Sequence, residues 1–257
     1  MTEHNIRFAN SNDIKSIKRL WLEVFNDEKK FVDSFLEHLS NGVDTVVFEE
    51  NSKIYSIASF IDVKIGEYKG KYLYALATSP RKRNKHLATS IIEFSKNYFS
   101  QNGYEFILTI PSNPKLIPFY EKNGFLNKTY KRTYFEDGMS FKILPKHINS
   151  EELYQIRQNN NKFPTYNPEF FDFVFEDLIS DGWLALGYED SYCICKPNLN
   201  SLLVREFSGK YSPICFANSL GFNRAEINCY NGENVFAMYV SFDKNVKISN
   251  FELMLEK

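Results

Sequence analysis

SPRKRNKHLATSII, residues 79–92, sets Arg81, Lys82, Arg83, Lys85 and His86 directly ahead of an apolar run. Leu87, Ile91, Ile92, Phe94 and Phe99 then recur at helical spacing, and Gly103 stops the pattern. Just upstream, YLYALAT at 72–78 alternates aromatic residues or Leu with small residues, as a strand does. The order is strand, basic loop, helix. A helix N-terminus carries unpaired N–H groups and a partial positive charge, which together make an anion site. Successive N–H groups in the turn before it add a nest around the same oxygens. Arg and Lys beside the nest bring mobile positive charge. The natural guest is a diphosphate on a small cofactor.

The rest of the chain supplies no competing basic surface. It has 257 residues and a formal net charge of −1, so any charge-based function is local. A nucleic-acid partner is not expected without a basic stripe. A hydrophobic fraction of 43% and a charged fraction of 25% are ordinary for a globular protein. The length suits one large or two modest domains. The N-terminus has no apolar signal core, and no apolar run approaches a membrane span, so no membrane partner is expected. Cys193, Cys195, Cys215 and Cys229 form no CxxC pair and have no His nearby, so no metal site is expected. They read as reduced core residues of a cytoplasmic protein.

Patterning extends the opening motif into a larger unit. Residues 6–9 read as a strand, and Ile14, Ile17, Leu20, Trp21, Val24 and Phe25 as one helix face. Phe31, Phe35 and Leu39 mark a second helix. Strands follow at 45–48, 54–61 and 72–78, with Lys69-Gly70-Lys71 as the turn before the last. Beyond the helix at 87–99 come a buried strand at 106–110, a helix at 114–122 and strand at 130–135. Strand–helix–strand around the basic loop implies a parallel pair with a crossover; the earlier short turns imply antiparallel neighbours. The fold class is α/β with a mixed sheet and helices on both faces. Residues 139–150 read as a junction. Past it lie helices at 151–158 and 169–178, a hairpin at 183–196, a strand at 202–207 and a helix at 214–220. Strands at 225–230, 235–242 and 251–255 complete the chain.

The loop is neither a triphosphate P-loop, lacking Gly-rich Lys-Ser/Thr, nor a dinucleotide turn, lacking GxGxxG. TSPRKRNKHLA at 78–88 instead resembles the strand–loop–helix motif of the GNAT superfamily of acyl-CoA-dependent N-acetyltransferases, roughly V-x-P-x-x-R-G-x-G-x-G/A. Pro80, Arg83, Leu87 and Ala88 match it, while Asn84 and His86 stand where glycine is usual. A side chain fits there if φ stays negative. A second stretch, NPKLIPFYEKNGF at 113–125, is similar to that superfamily's N-x-x-x-x-x-[LF]-Y-x-K-x-G-F, matching at Asn113, Phe119, Tyr120, Lys122, Gly124 and Phe125.

The resemblance implies an acyl-CoA N-acyltransferase fold in which two strands splay at a bulge and acetyl-CoA enters the opening. On that analogy the backbone of Leu76, Ala77 and Thr78 pairs with the pantetheine arm. Arg83, Asn84, Lys85, His86, Leu87 and Ala88 hold the pyrophosphate, and Asn113 contacts pantetheine or caps the following helix. Tyr120 protonates the leaving thiolate, and a small-molecule or peptidic amine attacks the thioester directly. Glu23, Asp27 and Tyr74 are the candidates for accepting the amine proton. The alternative is an inactive acyl-CoA-binding or scaffold protein that keeps the fold.

Residues 1–140 then form a GNAT domain, and residues 150–257 a smaller, degenerate GNAT-like domain without a phosphate loop. The second domain's part could be completing the acceptor pocket or forming an oligomer contact. In some two-domain relatives the terminal carboxylate reaches the active site, a role that would fall to residues 251–257.

Overall fold

In the computed structural model, which describes residues 4–158 and 163–248, the N-terminal strands form a meander in chain order. β1 (His4–Phe8), β2 (Val43–Glu50), β3 (Lys53–Ile65) and β4 (Tyr68–Thr78) pair antiparallel, each with the next. β5 (Phe106–Thr109) then joins β4 in parallel, and Met238–Ser241 lies antiparallel on its other side. The parallel step requires a crossover, and α3 (Leu87–Gln101) provides it, after α1 (Ile14–Val24) and α2 (Lys29–Glu37). Each helix turns one apolar face inward: Ile17, Leu20 and Trp21 on α1, Phe31, Val32, Phe35 and Leu36 on α2, and Leu87, Ile91, Ile92 and Phe99 on α3. These elements, with α4 (Ile117–Lys122) and Thr165–Phe170, make one compact unit.

A second unit takes Thr129–Pro164 and Phe171–Phe236. It holds β7 (Lys146–His147), α5 (Ser150–Gln158), β8 (Leu184–Tyr188), β9 (Ser191–Asn198), β10 (Ser201–Ser208) and α7 (Pro213–Ser219), with most of β6 (Asn127–Asp137), α6 (Pro168–Ser180) and β11 (Arg224–Ser241). Strands β7, β8, β9 and β10 are antiparallel neighbours, and β10 pairs in parallel with Ala225–Ile227 of β11. Cys193, Cys195 and Cys215 pack in the core of this unit among Leu202, Val204, Phe216 and Ile227. Cys229 is only half-buried; none of the four is in a disulfide among the described residues.

Two expectations from the sequence fail, both at glycines. Lys69-Gly70-Lys71 lies inside β4, and the turn falls earlier, at Gly66 with φ +58°. A Cβ on Gly70 would sit 2.3 Å from the Phe106 ring, so the glycine marks a close approach rather than a turn. Lys71 is likewise an interior residue, its ammonium held by Asp44 at 2.6 Å and Asp62 at 2.8 Å. The strands expected at 225–230 and 235–242 are one strand, β11, running through Gly232. Its missing Cβ leaves room for the Lys131 backbone, which a Cβ would meet at 2.2 Å. The expected strand at 251–255 lies outside the described residues.

Gly70→Ala should destabilise the chain by ~1–3 kcal/mol, because the Phe106 ring has no space to yield. Chemical denaturation checks it; a midpoint equal to the wild type would show that the ring can move aside.

Candidate active site

β4 carries the site because its two neighbours release it at different places. Toward β5 the parallel ladder runs Gly70↔Phe106, Lys71↔Ile107, Tyr72↔Leu108, Leu73↔Thr109 and stops. Toward β3 the antiparallel ladder continues to Ser56↔Thr78. Between Ala75↔Ser59 and Leu73↔Phe60 the register shifts, leaving Tyr74 as the extra residue of a β-bulge. The bulge therefore sits at the last rung of the β4–β5 ladder, and β4 runs on from it along an opened side.

Hydrogen bonds show which backbone groups face that opening. Ser79 N–H donates to the Tyr55 carbonyl at 2.9 Å, and Ser56 Oγ donates to the Ala77 carbonyl at 2.9 Å. Ala77 and Ser79 thus turn their backbone toward β3. Strand alternation turns the N–H and C=O groups of Leu76 and Thr78 the other way, into the opening. The single proton of Ser56 Oγ is committed to Ala77, so the 2.8 Å contact with Thr78 Oγ1 has Thr78 as donor.

Beyond Thr78, Pro80–Lys82 make one 3₁₀ turn and the chain enters α3. Asn84 and His86 both take φ +60°, the left-handed region. The condition of negative φ is therefore not met at these positions. The loop needs the left-handed conformation that glycine adopts without cost, and here Asn and His, two of the more tolerant residue types, adopt it. His86 is the N-cap of α3 but makes no side-chain cap. Its carbonyl accepts the first helical bond, from Ser90 N–H at 2.9 Å. The first-turn amides are left uncapped, and the first turn carries no acidic residue. Lys82 is taken up by an ion pair with Glu50 and lies over the Tyr55 ring at 4.6 Å. Among the described residues Arg81, Arg83 and Lys85 have no ion pair, and all three are exposed beside the uncapped turn.

Tyr120 lies in α4 and is 7% exposed. Its ring packs against Phe119 at 5.2 Å and Phe125 at 5.6 Å. The α4 terminus anchors it: Asn123 N–H and Phe125 N–H donate to the Tyr120 carbonyl at 3.0 and 3.1 Å, with Gly124 at φ +91°. Burial pushes the phenol's pKa up, with the Thr109 hydroxyl acting weakly the other way. Thr109 is the β5 residue of the last β4–β5 rung, so the phenol lies at the fork. Asn113 acts as a cap, its Oδ1 accepting Lys115 N–H at 2.9 Å.

The candidates for the amine side fall on α1, just after it, and at the bulge. Asp27 accepts the Trp21 indole N–H at 2.7 Å. Tyr74 stacks on Phe35 at 5.4 Å and lies 6.2 Å from Trp21. Glu23 is exposed near the end of α1. The residues missed in the sequence are Ser56 and Thr109, a Ser and a Thr inside apolar strands whose only mark was a hydroxyl.

Residues 5–126 match the family model described as an acetyltransferase (GNAT) domain, a span that includes the basic loop and Tyr120. Among solved structures, a conserved protein of Enterococcus faecalis V583 described as a probable N-acyltransferase is 12% identical, with a TM-score of 0.72 over 93% of this chain and 72% of that one. Eis1 of Mycobacterium abscessus is 11% identical, with a TM-score of 0.69 over 94% of this chain and 74% of that one. A GCN5-related N-acetyltransferase of Kribbella flavida is 8% identical, with a TM-score of 0.67 over 93% of this chain and 71% of that one. A search of curated proteins finds no match. At these identities the likeness is one of fold: the chain has the mixed α/β GNAT acetyltransferase fold.

Replacing His86 by Gly should raise stability by about 1 kcal/mol, the left-handed strain of a non-glycine residue. A thermal melt reads it; a lower Tm in H86G would mean that the imidazole makes a contact worth more than the strain.

Proposed function

We propose that the chain is an acetyl-CoA-dependent N-acetyltransferase. The observation that carries this reading is the fork: β4 opens at the Tyr74 bulge, with Leu76 and Thr78 backbone groups facing the gap and Tyr120 at its closed end. An extended pantetheine arm is chemically suited to such an edge, because its amides can complete the ladder that β5 leaves unfinished. The Leu76, Ala77 and Thr78 segment is the docking strand, with Leu76 and Thr78 supplying the outward amides that polarise the acetyl carbonyl.

The diphosphate lies on the first-turn amides of α3, at Leu87 and Ala88, with Arg83, Asn84, Lys85 and His86 around it. Asn113, having spent its Oδ1 on a cap, keeps its Nδ2 for pantetheine. The acceptor is a small-molecule or peptidic amine. Its nitrogen attacks the thioester carbon, and the C–S bond breaks onto sulfur. Tyr120, kept protonated by burial, gives its proton to the thiolate. The amine proton leaves through water, with Glu23 on α1, Asp27 just after it and Tyr74 at the bulge as the candidate acceptors. No metal takes part. In this reading the reaction runs in the cytoplasm, with neither nucleic acid nor membrane as partner. No described helix is long and apolar enough to cross a membrane.

The second unit fits a degenerate GNAT-like half, so that residues 1–140 hold the working domain and 150–257 the degenerate one. β10 repeats the behaviour of β4: its parallel ladder to β11 ends at Val204↔Ile227, and a register shift leaves Arg205 as the extra residue at that rung. Glu206 is buried there with Arg157 as ion-pair partner and accepts the Tyr192 hydroxyl at 2.5 Å. Ile214 N–H, in the first turn of α7, already donates to Glu136 at 3.1 Å. A carboxylate of the chain thus holds the place a phosphate would need. An oligomer built through this unit is compatible with the reading.

Calorimetry with acetyl-CoA and dephosphorylated or diphosphate-free analogues tests the loop. Arg83→Ala should weaken acetyl-CoA about tenfold, the loss of one charge-assisted hydrogen bond. Absence of any acetyl-CoA binding by the wild type would overturn the reading and leave the fold without this function. Binding without turnover on a panel of amines would favour the scaffold alternative. For turnover, Tyr120→Phe should lower kcat ~100-fold with the KM for acetyl-CoA little changed. Because burial raises the Tyr120 pKa, the phenol keeps its proton up to and beyond the usual tyrosine value. The alkaline fall in kcat caused by its ionisation should therefore lie above that value; a fall well below it would assign the acid to another group.

A further inference from the structure

Wholly within the second unit, α5 and the β7–β8 edge leave between them a cavity of about 410 Å³. That is room for a small organic molecule. Its floor follows from the strand pairing. Lys146 of β7 pairs with Gly187 of β8, and Ile148 N–H, just past β7, donates to the Ala185 carbonyl at 3.0 Å. A Cβ on Gly187 would sit 2.6 Å from Ile148 Cγ2, so the strand needs its glycine there for the buried Ile148 side chain to pack over it. Ile156 of α5 and Tyr188 continue this apolar lining. The Tyr188 ring is held in turn by Tyr211, edge to face at 5.0 Å.

The charge around that floor is one-sided. The lining holds three carboxylates, Glu151, Glu152 and Glu189, against one ammonium, Lys146. Lys146 is spent on Glu152 at 2.9 Å, whose other oxygen accepts the Asn149 N–H at 3.1 Å. Glu189 accepts the Tyr211 hydroxyl on one oxygen at 3.1 Å, and among the described residues its second oxygen has no partner. Glu151 has no ion pair among the described residues. Two carboxylates beside an apolar floor therefore select the guest. An anion is repelled. A neutral guest would strip water from both carboxylates and give nothing in return. A metal ion needs several ligands converging on one point, and among the described residues no three His, Cys, Asp or Glu are placed to hold one. An ammonium on an apolar body answers both parts of the cavity, its charge to Glu151 and Glu189 and its body to Ile148, Ile156 and Tyr188.

We infer that this cavity is a ligand site of its own, taking an organic cation: an amine or quaternary ammonium on an aromatic or alkyl body. No residue of the cavity belongs to the fork or to the basic loop, so the inference stands whether or not the chain acetylates amines. It gives the second unit a binding role that needs no phosphate loop.

The probe is benzyltrimethylammonium, which has no N–H and so cannot be acylated. Benzyl alcohol and phenylacetate are its neutral and anionic counterparts. Amide NMR of the full chain locates and titrates each. The cation should saturate with a Kd on the order of 1 mM or below, and should shift Gly187, Tyr188 and the residues of α5. Both counterparts should bind about tenfold more weakly or not at all. Glu151→Gln together with Glu189→Gln, exposed changes of nearly equal shape, should weaken the cation about tenfold as well. Ile156→Trp fills the cavity without altering charge and should abolish binding. Benzyl alcohol that binds as tightly as the cation, or a titration unaltered by the paired glutamine changes, would overturn the proposal. So would shifts confined to residues outside the cavity, or no saturation at all. Binding that survives Ile156→Trp would show surface charge acting without the cavity and would overturn it too. Should the tryptophan variant fail to fold, Ile156→Phe makes the same comparison.

Discussion

The ladder between β4 and β5 stops at Leu73↔Thr109, five residues before β4 itself ends. Every other feature of the candidate site depends on that early stop. A buried strand edge is costly unless its N–H and C=O groups find partners. Here the groups of Leu76 and Thr78 are left facing an opening, which is a cost in the ligand-free chain and a recognition surface for an extended ligand. The bulge at Tyr74 makes the arrangement possible, since one extra residue lets β4 stay in register with β3 while turning away from β5. Gly70, lying under the Phe106 ring, keeps the paired half of the ladder tight. The fork is thus rigid below the bulge and open above it.

The electrostatics follow from the same geometry. β4 feeds through Pro80–Lys82 into α3, so the uncapped helix end faces the continuation of the opened strand. Lys82 is tied to Glu50, which leaves Arg81, Arg83 and Lys85 as the mobile cations of the loop. The positive φ of Asn84 and His86 is the backbone cost of presenting those amides. At the other end of the fork the environment is the reverse. Tyr120 is enclosed by aromatic rings, where burial favours the neutral phenol. In the proposed reaction the charged tail and the proton transfer are thereby separated along one strand.

Much of this was legible in the sequence, for definable reasons. Proline, the basic run and the helical spacing from Leu87 fixed the loop and α3, because those signals are local. The stretch around Tyr120 was legible because α4 is short and its stop, Asn123-Gly124, is a strong local signal. The bulge was not, since an inserted residue in YLYALAT changes no composition and becomes visible only against the register of β3. Gly70 misled because Lys69-Gly70-Lys71 reads as a turn, whereas it admits the Phe106 ring; the gap between the strands expected at 225–230 and 235–242 is strand at Gly232, which admits the Lys131 backbone. Asn84 and His86 gave no sign of φ. The parallel between β4 and β10 was visible only as an order of elements; the matching bulges at Tyr74 and Arg205 are a fact of register.

In the proposed function, acetyl-CoA lies along the opened side of β4. Backbone amide exchange of β4, measured by NMR with and without acetyl-CoA, tests it most directly. Ala77 faces β3 and should be protected in both states, whereas the Leu76 and Thr78 amides should exchange readily alone and slow markedly when acetyl-CoA is added. Protection of Leu76 and Thr78 that is already complete without the ligand, or that is unchanged by saturating acetyl-CoA, would contradict the account.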